Sequence, residues 1–463
     1  MEAVERGTGE GNSEERLVAA VRAGDADAVR ALLEDGADPD TTGQDGLPVL
    51  CAAVAAYDKP VAEALVEGGA GPDRELPDGT TPLLRAVDLG SPAVVEAVLG
   101  AEPRLRLPQA ARERLLALAR TWYETGAAGE LRRRTGAPGP ARTRRISDDE
   151  YGHVDEVSLG GLTVRAGHGA ILTSLEWAFR VLTPVDELVA RAVRHPPADH
   201  LEHEYHVDWS ASSFVLSRRR SKETWSAVLA HRHYREPVHR LFVADYLWTR
   251  SIFEGLGYPS YAKEEAEVLA AWAADEPDSG VLARVLDVYT GHEHPGHESI
   301  GHRYADHPDP RVRREVPYCF PAHGSPLTPS GTAVLLTLAQ DPDARVRSNV
   351  CGPLGSGRDL TPETRQALLT LIRDPDASVR GSAAAALSGS PDRAPAVADA
   401  LAALLDEDDQ RLRLEGAYGL AQRDDPRTEE AYERVGPLGP GFEHDHRADG
   451  LWRWRWRNRP ATS

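Results

Sequence analysis

The stretch DPDARVRSNV, Asp341 to Val350, returns as DPDASVRGSA at Asp374 to Ala383. Upstream the same phrase stands as HPDPRVRREV (His307 to Val316), and downstream, more loosely, as DEDDQRLRLEGA (Asp406 to Ala417). Its apolar position falls at Val312, Val346, Val379 and Leu412, with offsets of 34, 33 and 33 residues, and Arg313, Arg347, Arg380 and Arg413 keep the same ladder. A fixed period of this size marks a repeat array, in which no unit can bury its apolar face alone and each stacks on its neighbours. An amphipathic segment precedes each of the last three phrases (TAVLLTLAQ, ALLTLIR, ALAALLD), and small residues close the helix that follows (AAAALSGS, GAYGLAQRD). Each unit therefore reads as a helix pair. Asp and Pro suit the start of the second helix, because Asp accepts from exposed amides and Pro in the first turn loses no hydrogen bond.

These residues resemble HEAT repeats of the short bacterial kind, with Asp-Pro-Asp between paired helices. The resemblance implies a curved helical array. Arginines recurring with the fold period are expected to pair with the aspartates of the neighbouring turn, a basic stripe for phosphates being the alternative. SKETWSAVLAHRHYREPVHRLFVADYL (Ser221 to Leu247) resembles the same unit more loosely, which carries irregular helical units upstream of residue 307.

A second period lies at the other end. LLEDGADPD (Leu32 to Asp40) recurs as LVEGGAGPD (Leu65 to Asp73), Asp45-Gly46 recurs as Asp78-Gly79, and turns at Gly24, Tyr57 and Gly90 keep the offset of 33. DGTTPLLRAVDLGSPAVVEAVLG (Asp78 to Gly100) resembles an ankyrin repeat, with Asp-Gly, Thr-Pro-Leu and the late Val-Val. Pro48-Val49-Leu50 replaces the Thr-Pro-Leu in the preceding unit, an exchange expected to cost a local hydrogen bond only. The resemblance implies protein binding through hairpin tips, here Asp45, Asp78 and Thr80, and through the inner helix surface. Capping of the neighbouring array is the plainer role.

Seven basic residues face twenty-one acidic ones in residues 1–102, whereas residues 103–145 hold eleven arginines against three glutamates. The basic run Arg132-Arg133-Arg134 is expected to lie against the acidic repeats or to stay solvated, contact of this run with phosphates and of Trp122 and Tyr123 with bases being the alternative, and APGPARTRRIS has the composition of a hinge. DEVSLGGLTVRAG (Asp155 to Gly167) alternates around a Gly-Gly turn and reads as extended structure. After it, ILTSLEWAFRVL, VDELVARAVRH, SASSFVLSRRR, KETWSAVLAHRHY, VHRLFVADYLWTRSIF and EEAEVLAAWAAD all carry helical spacing. Histidines cluster in HLEHEYHVD, HRHYREPVH and HEHPGHESIGH. His203, His206 and Asp208 are conceivable ligands for a divalent metal, but HExxH is absent and exposed polar loops are the expectation, so no metal site and no cofactor is assigned.

The resulting organisation is a disordered N-terminus (1–13), ankyrin repeats (14–102), a basic helix and linker (103–145), a helical middle (146–306), HEAT repeats (307–435), and a C-terminal loop with a Trp/Arg segment (436–463). The fold class is mostly α, an elongated solenoid with a short extended segment between its two arrays. Its pairing and its arginine-rich, lysine-poor composition look actinobacterial in type.

The net charge of −20 argues against nucleic acid or an anionic membrane as partner of the whole surface. Three cysteines without CxxC spacing give neither a disulfide framework nor a cysteine zinc site, and no apolar run is long enough to span a membrane. No nucleophile elbow, phosphate loop or dinucleotide fingerprint occurs. The expected function is a cytoplasmic, non-catalytic scaffold for a protein partner, its identity and the oligomeric state being open. One competitor is a nucleic-acid protein like the HEAT-built DNA glycosylases, gathering Arg218, Arg219, Arg220, Trp225 and Trp248. The other is a metal-dependent enzyme using the middle histidines.

LWRWRWRNRP ends the chain, with Trp452, Trp454 and Trp456 alternating with arginines. If extended, the tryptophans share one side. An extended cap on the last repeat is expected, a membrane or nucleic-acid hook being the alternative.

Overall fold

The computed structural model describes residues 4–195, 205–252, 261–320, 327–356 and 360–458. The chain divides into two compact units, Met1–Pro259 and Ser260–Ser463, the break falling within residues 146–306. The described residues are mostly helical, with one small sheet.

In the first unit three helix pairs follow one another: Val4–Ala23 with Ala26–Glu34, Val49–Ala55 with Lys59–Glu67, and Pro82–Leu89 with Pro92–Leu99. The turn inside each pair passes through left-handed backbone, at Gly24 (φ 72°), Tyr57 (φ 57°) and Gly90 (φ 80°). The residue after it caps the second helix, Asp25, Asp58 and Ser91 accepting from the amides of Ala28, Val61 and Val94. Tyr57 holds a conformation that favours glycine because its ring is clamped, under the Arg165 guanidinium at 4.2 Å and with its hydroxyl donating to the Leu89 carbonyl at 3.3 Å. Pro48 gives its helix no side-chain cap, where Thr81 accepts from the Leu84 amide, so the departure from Thr-Pro-Leu does cost one local bond. The first helix takes in most of the N-terminal stretch expected to be disordered. Once Leu17 and Val21 are packed, extending an existing helix is far easier than nucleating one.

The extended segment is an antiparallel sheet of β1 (Arg142–Ser147), β2 (Gly152–Leu159) and β3 (Leu162–Arg165), with the two-residue β4 (Tyr205–His206) parallel to β2. Gly160 and Gly161, both at positive φ, make the β2–β3 turn. The second half of the stretch with hinge composition is β1, paired along its length to β2 because ladder hydrogen bonds override a Pro/Gly/Arg composition. The sheet and the helix His168–Ala178 close on the third helix pair at Gly90, whose carbonyl accepts from the Gly167 amide at 3.0 Å. A Cβ on Gly90 would overlap the Arg165 carbonyl and the His168 ring. Gly90→Ala, adding that overlap to left-handed strain, is expected to cost about 3 kcal/mol in urea denaturation. Gly24→Ala, which meets only the Asp58 carboxylate at 3.0 Å, should cost about 1 kcal/mol. Equal losses would show that the Gly90 approach is unimportant.

The six stretches with helical spacing are helices: His168–Ala178, Val185–Ala192, Val207–Arg218, Lys222–Ala230 and Pro237–Ile252 in the first unit, and Ala262–Asp275 opening the second. The second unit continues with Ser279–Thr290, His297–Tyr304 and the repeated pairs. Asp309, Asp343, Asp376 and Asp409 each cap the helix that follows. Arg313 donates to both carboxylate oxygens of Asp341 (2.7 and 2.9 Å) and to the carbonyls of His307 and Pro308. Arg347 repeats this on Asp374 (2.8 and 2.8 Å), Asp341 and Pro342. Arg380 keeps the two carbonyl bonds, to Asp374 and Pro375, with a single bond of 3.1 Å to Glu407. The arginines are a structural ladder.

Glu315 is buried and has its carboxyl pushed up to about 8 by burial and by Asp287, against the pull of Arg284 and Arg314. An acid raised in the fold keeps its proton while the unfolded chain loses it, so stability falls as pH rises from the unfolded value toward 8. Glu315→Gln should flatten that fall, gaining on the order of 2 kcal/mol at pH 8 relative to pH 5. Unchanged pH dependence of the second unit's unfolding would refute the assignment.

The tail corrects the expectation of an extended cap. His446–Asn458 is a helix, so the period-two tryptophans wrap around its axis instead of sharing a side. Leu451 is buried, Arg447 reaches Glu415 at 2.8 Å, and Trp454 donates to Asp424 at 3.2 Å. Trp452 and Trp456, one turn apart, stack on each other and are 58% and 64% exposed. The helix covers the end of Gln410–Ala421 by its leucine side, while two tryptophans face water. Leu451→Ala should therefore cost about 2–4 kcal/mol, and Trp452→Ala or Trp456→Ala less than about 0.5 kcal/mol, in thermal denaturation.

Candidate interaction surfaces and a histidine cluster

Hairpin tips carry the residues that the N-terminal array would present to a partner. Asp45 is exposed and ties its own turn, accepting from the Leu47 amide at 3.1 Å. Asp78 is exposed too, and its carboxylate accepts from the Thr80 hydroxyl (2.6 Å), the Thr80 amide (2.9 Å) and Arg85 (2.9 Å). The Thr80 hydroxyl bond, with the other donors, holds the Asp78 carboxyl at about 2, so the tip is anionic throughout the physiological range. Beside it, between Pro82–Leu89 and Gln109–Thr125, runs a groove of about 410 Å³. Leu84 and Leu118 make its apolar floor, with Thr80, Arg85, Asp88 and Arg114 around them. Arg114 donates to the Gly79 carbonyl at 2.9 Å, fixing the groove to the tip.

The basic run after the array is neutralised internally. Arg134 makes a bidentate pair with Asp88 (2.7 and 2.7 Å) and lies 4.5 Å over the Trp122 ring, whose indole N–H also donates to Asp88. Arg133 pairs with the buried Glu130, whose carboxyl is held at about 2 chiefly by the Arg133 hydrogen bonds. The Arg134–Asp88 pair ties the segment to the acidic repeats, whereas the Arg133–Glu130 pair lies within it.

The residues named for nucleic acid differ in exposure. Arg219 and Trp225 are buried, and burial pulls Arg219 below its ordinary range. Arg218 and Arg220 are exposed, the former over Phe214 at 5.1 Å, while Trp248 is half-buried.

The middle histidines correct the expectation of exposed polar loops. His153, His168, His206, His231 and His292 are buried, whereas His233 and His302 of the same clusters are exposed as expected. His168 stacks on Trp122 at 4.7 Å, and burial holds it down to about 4. His231 stacks on Tyr234 at 4.5 Å and meets Asp186 at 3.0 Å. His294 sits 2.8 Å from the Tyr289 hydroxyl. Two acids of the same region are engaged as well: Asp245 accepts from the Trp209 indole at 2.9 Å, and Glu176 is buried against Arg191 and Arg120.

His203 lies outside the described residues. His206 and Asp208 do come together, and their third member is His195, which no cluster in the sequence had included. One ligand atom from each of His195, His206 and Asp208 lies within 4.8 Å of the others, the one such group of three among the described residues. His195 stands beyond the end of Val185–Ala192, His206 in β4, and Asp208 in the first turn of Val207–Arg218. Asp208 Oδ1 accepts from the Ala170 amide at 2.6 Å, which leaves Oδ2 turned to His195 Nδ1 (3.3 Å) and His206 Nδ1 (3.9 Å). Burial, outweighing the Asp208 charge, holds His206 down to about 4, so its ring is neutral.

Comparison with known proteins agrees with the two arrays. The family model for ankyrin repeats in three copies matches residues 17–106, and that for HEAT repeats matches residues 331–421. None of the curated proteins matches. Among solved structures, the Escherichia coli protein YibA is 16% identical at a TM-score of 0.40, covering 58% of this chain and 93% of its own. An engineered protein is 14% identical at a TM-score of 0.32, covering 92% of this chain and all of its own, 100%. Ankyrin repeats near the N-terminus and HEAT repeats toward the C-terminus are thus both present.

Proposed function

We propose, for a chain that joins these two kinds of protein-interaction repeat, that it is a non-catalytic, cytoplasmic scaffold whose ankyrin segment binds a protein partner. The supporting observation is the groove beside the Asp78 tip. Its apolar floor of Leu84 and Leu118, rimmed by Arg85, Asp88 and Arg114, suits a short partner segment that inserts an apolar side chain between charged ones. The excess of acid in residues 1–102 favours a basic or mixed-charge partner and association weakened by salt.

A photo-crosslinking residue at Thr121, exposed on the groove's rim, tests this in the native host. A discrete protein adduct at Thr121, lost on Leu84→Arg and missing when the same residue is placed at Glu63 outside the groove, supports the reading. Adducts that survive Leu84→Arg, or none at all, count against it. Circular dichroism of the Leu84→Arg chain keeps misfolding from being mistaken for lost binding.

A further inference from the structure

We infer that His195, His206 and Asp208 form a site for a divalent transition-metal ion of the zinc class, with at least one coordination position left to solvent. This stands apart from the protein-binding reading and uses residues on a different part of the first unit.

The donor set is the first argument. Two imidazoles and one carboxylate are the ligands of a borderline divalent ion, whereas an oxygen-seeking ion such as Mg²⁺ would not choose the imidazoles. Spacing is the second. Ligand atoms about 2.0–2.2 Å from a tetrahedral zinc stand about 3.3–3.6 Å apart. Asp208 Oδ2 already lies 3.3 Å from His195 Nδ1, and with one ring nitrogen of His206 the whole set falls within 4.8 Å.

Unmet hydrogen bonding is the third argument. His206 uses Nδ1 to accept from the Asp208 amide at 3.2 Å, while its Nε2 has no hydrogen-bond partner although the side chain is only 5% exposed, and neither has His195 Nδ1 despite its nearness to Asp208. Buried polar atoms are ordinarily paired, so an unpaired imidazole edge beside a carboxylate oxygen that makes no close bond marks a place for a cation. The fourth argument is the support behind the ligands. Asp208 Oδ1 is fixed by the Ala170 amide, and His206 packs edge-on against His153 at 5.7 Å and face-on against His195 at 3.8 Å. Ligands oriented in this way lose little freedom on binding. His195, its side chain 38% exposed, supplies the path to solvent.

A bound ion would tie the start of His168–Ala178, the start of Val207–Arg218 and the residues after Val185–Ala192 at one point. Binding to the folded chain alone then stabilises it.

Full-length protein purified without a histidine tag, stripped with chelator and dialysed against Zn²⁺, provides the test. Elemental analysis should find one equivalent of zinc, and a hundredfold excess over Kd should raise Tm by about 5 °C, with Mg²⁺ giving no shift. His195→Ala and Asp208→Asn should each weaken zinc binding at least tenfold, as measured by competition with a chromophoric chelator. Asp208→Asn perturbs a helix start, so if that chain fails to fold, His195→Ala decides alone. No retained zinc, zinc retained equally by His195→Ala, or an equal response to Mg²⁺ would each overturn the site.

Discussion

Arg191→Ala should lower the stability of the first unit by about 3–5 kcal/mol, read from urea denaturation of the full chain by tryptophan fluorescence. Arg191 is wholly buried. Its guanidinium donates to Glu176 (2.7 and 3.2 Å), to Thr173 (3.0 Å) and to Glu187 (2.5 Å). Glu176, also buried, takes further bonds from Thr183 and Arg120 at 2.7 Å each. Removing the arginine leaves the buried Glu176 with only the half-exposed Arg120 and the Thr183 hydroxyl as partners, and desolvation makes that far worse than losing a surface pair. Replacing both partners with apolar side chains, Arg191→Met with Glu176→Leu, should recover part of the loss because no charge is then stranded. A loss under about 1 kcal/mol for Arg191→Ala would mean that the network is not load-carrying.

Arg347→Ala should cost the second unit about 2–4 kcal/mol, since one side chain serves two carboxylate oxygens and two carbonyls across adjoining repeats. Hydrogen exchange should rise in both adjoining helix pairs, Pro329–Leu338 with Ala344–Gly355 and Pro362–Leu371 with Ala377–Gly389. Arg347→Lys keeps the charge but cannot reproduce the fork, so its loss should be intermediate. Arg434→Ala, removing an exposed pair with Asp406, should fall within about 0.5 kcal/mol. The ladder also fixes an acid dependence. The Arg347 hydrogen bonds hold the Asp374 carboxyl below its ordinary range, and Arg314 does the same for Asp343. Depressed carboxylates contribute stability that is present above their unfolded value and lost as pH falls through the folded one. Arg347→Ala should therefore flatten acid unfolding. Equal acid sensitivity in the two chains would contradict the pairing.

Repetition made much of this legible. The phrases at Asp341 and Asp374 set the second helices, their caps and the arginine ladder, because a contact repeated at the fold period must be one that the fold itself uses. The turns at Gly24, Tyr57 and Gly90 worked in the same way for the first array, down to a tyrosine in left-handed backbone. Where repetition stops, legibility stops too. Arg219 and Trp225 read as surface chemistry and are buried, while ARTRRIS reads as a hinge and is a strand, since neither burial nor strand pairing is a local property. His195 escaped notice for a related reason. It lies eleven positions before His206 and on another element, and only the pairing of β4 with β2 and the packing of Val207–Arg218 bring the two rings together.

The sequence by itself determined the two repeat arrays, their helix pairs and turns, and the sense in which charge would be neutralised between neighbouring segments. Period and capping act over a few residues, so a single chain displays them. Only the tertiary structure decided which titratable groups are buried, which face of the terminal helix meets the last repeat, and that His195, His206 and Asp208 converge. Those outcomes depend on residues far apart in the chain sharing one desolvated space, and no spacing along the sequence records which distant partners will exclude the water.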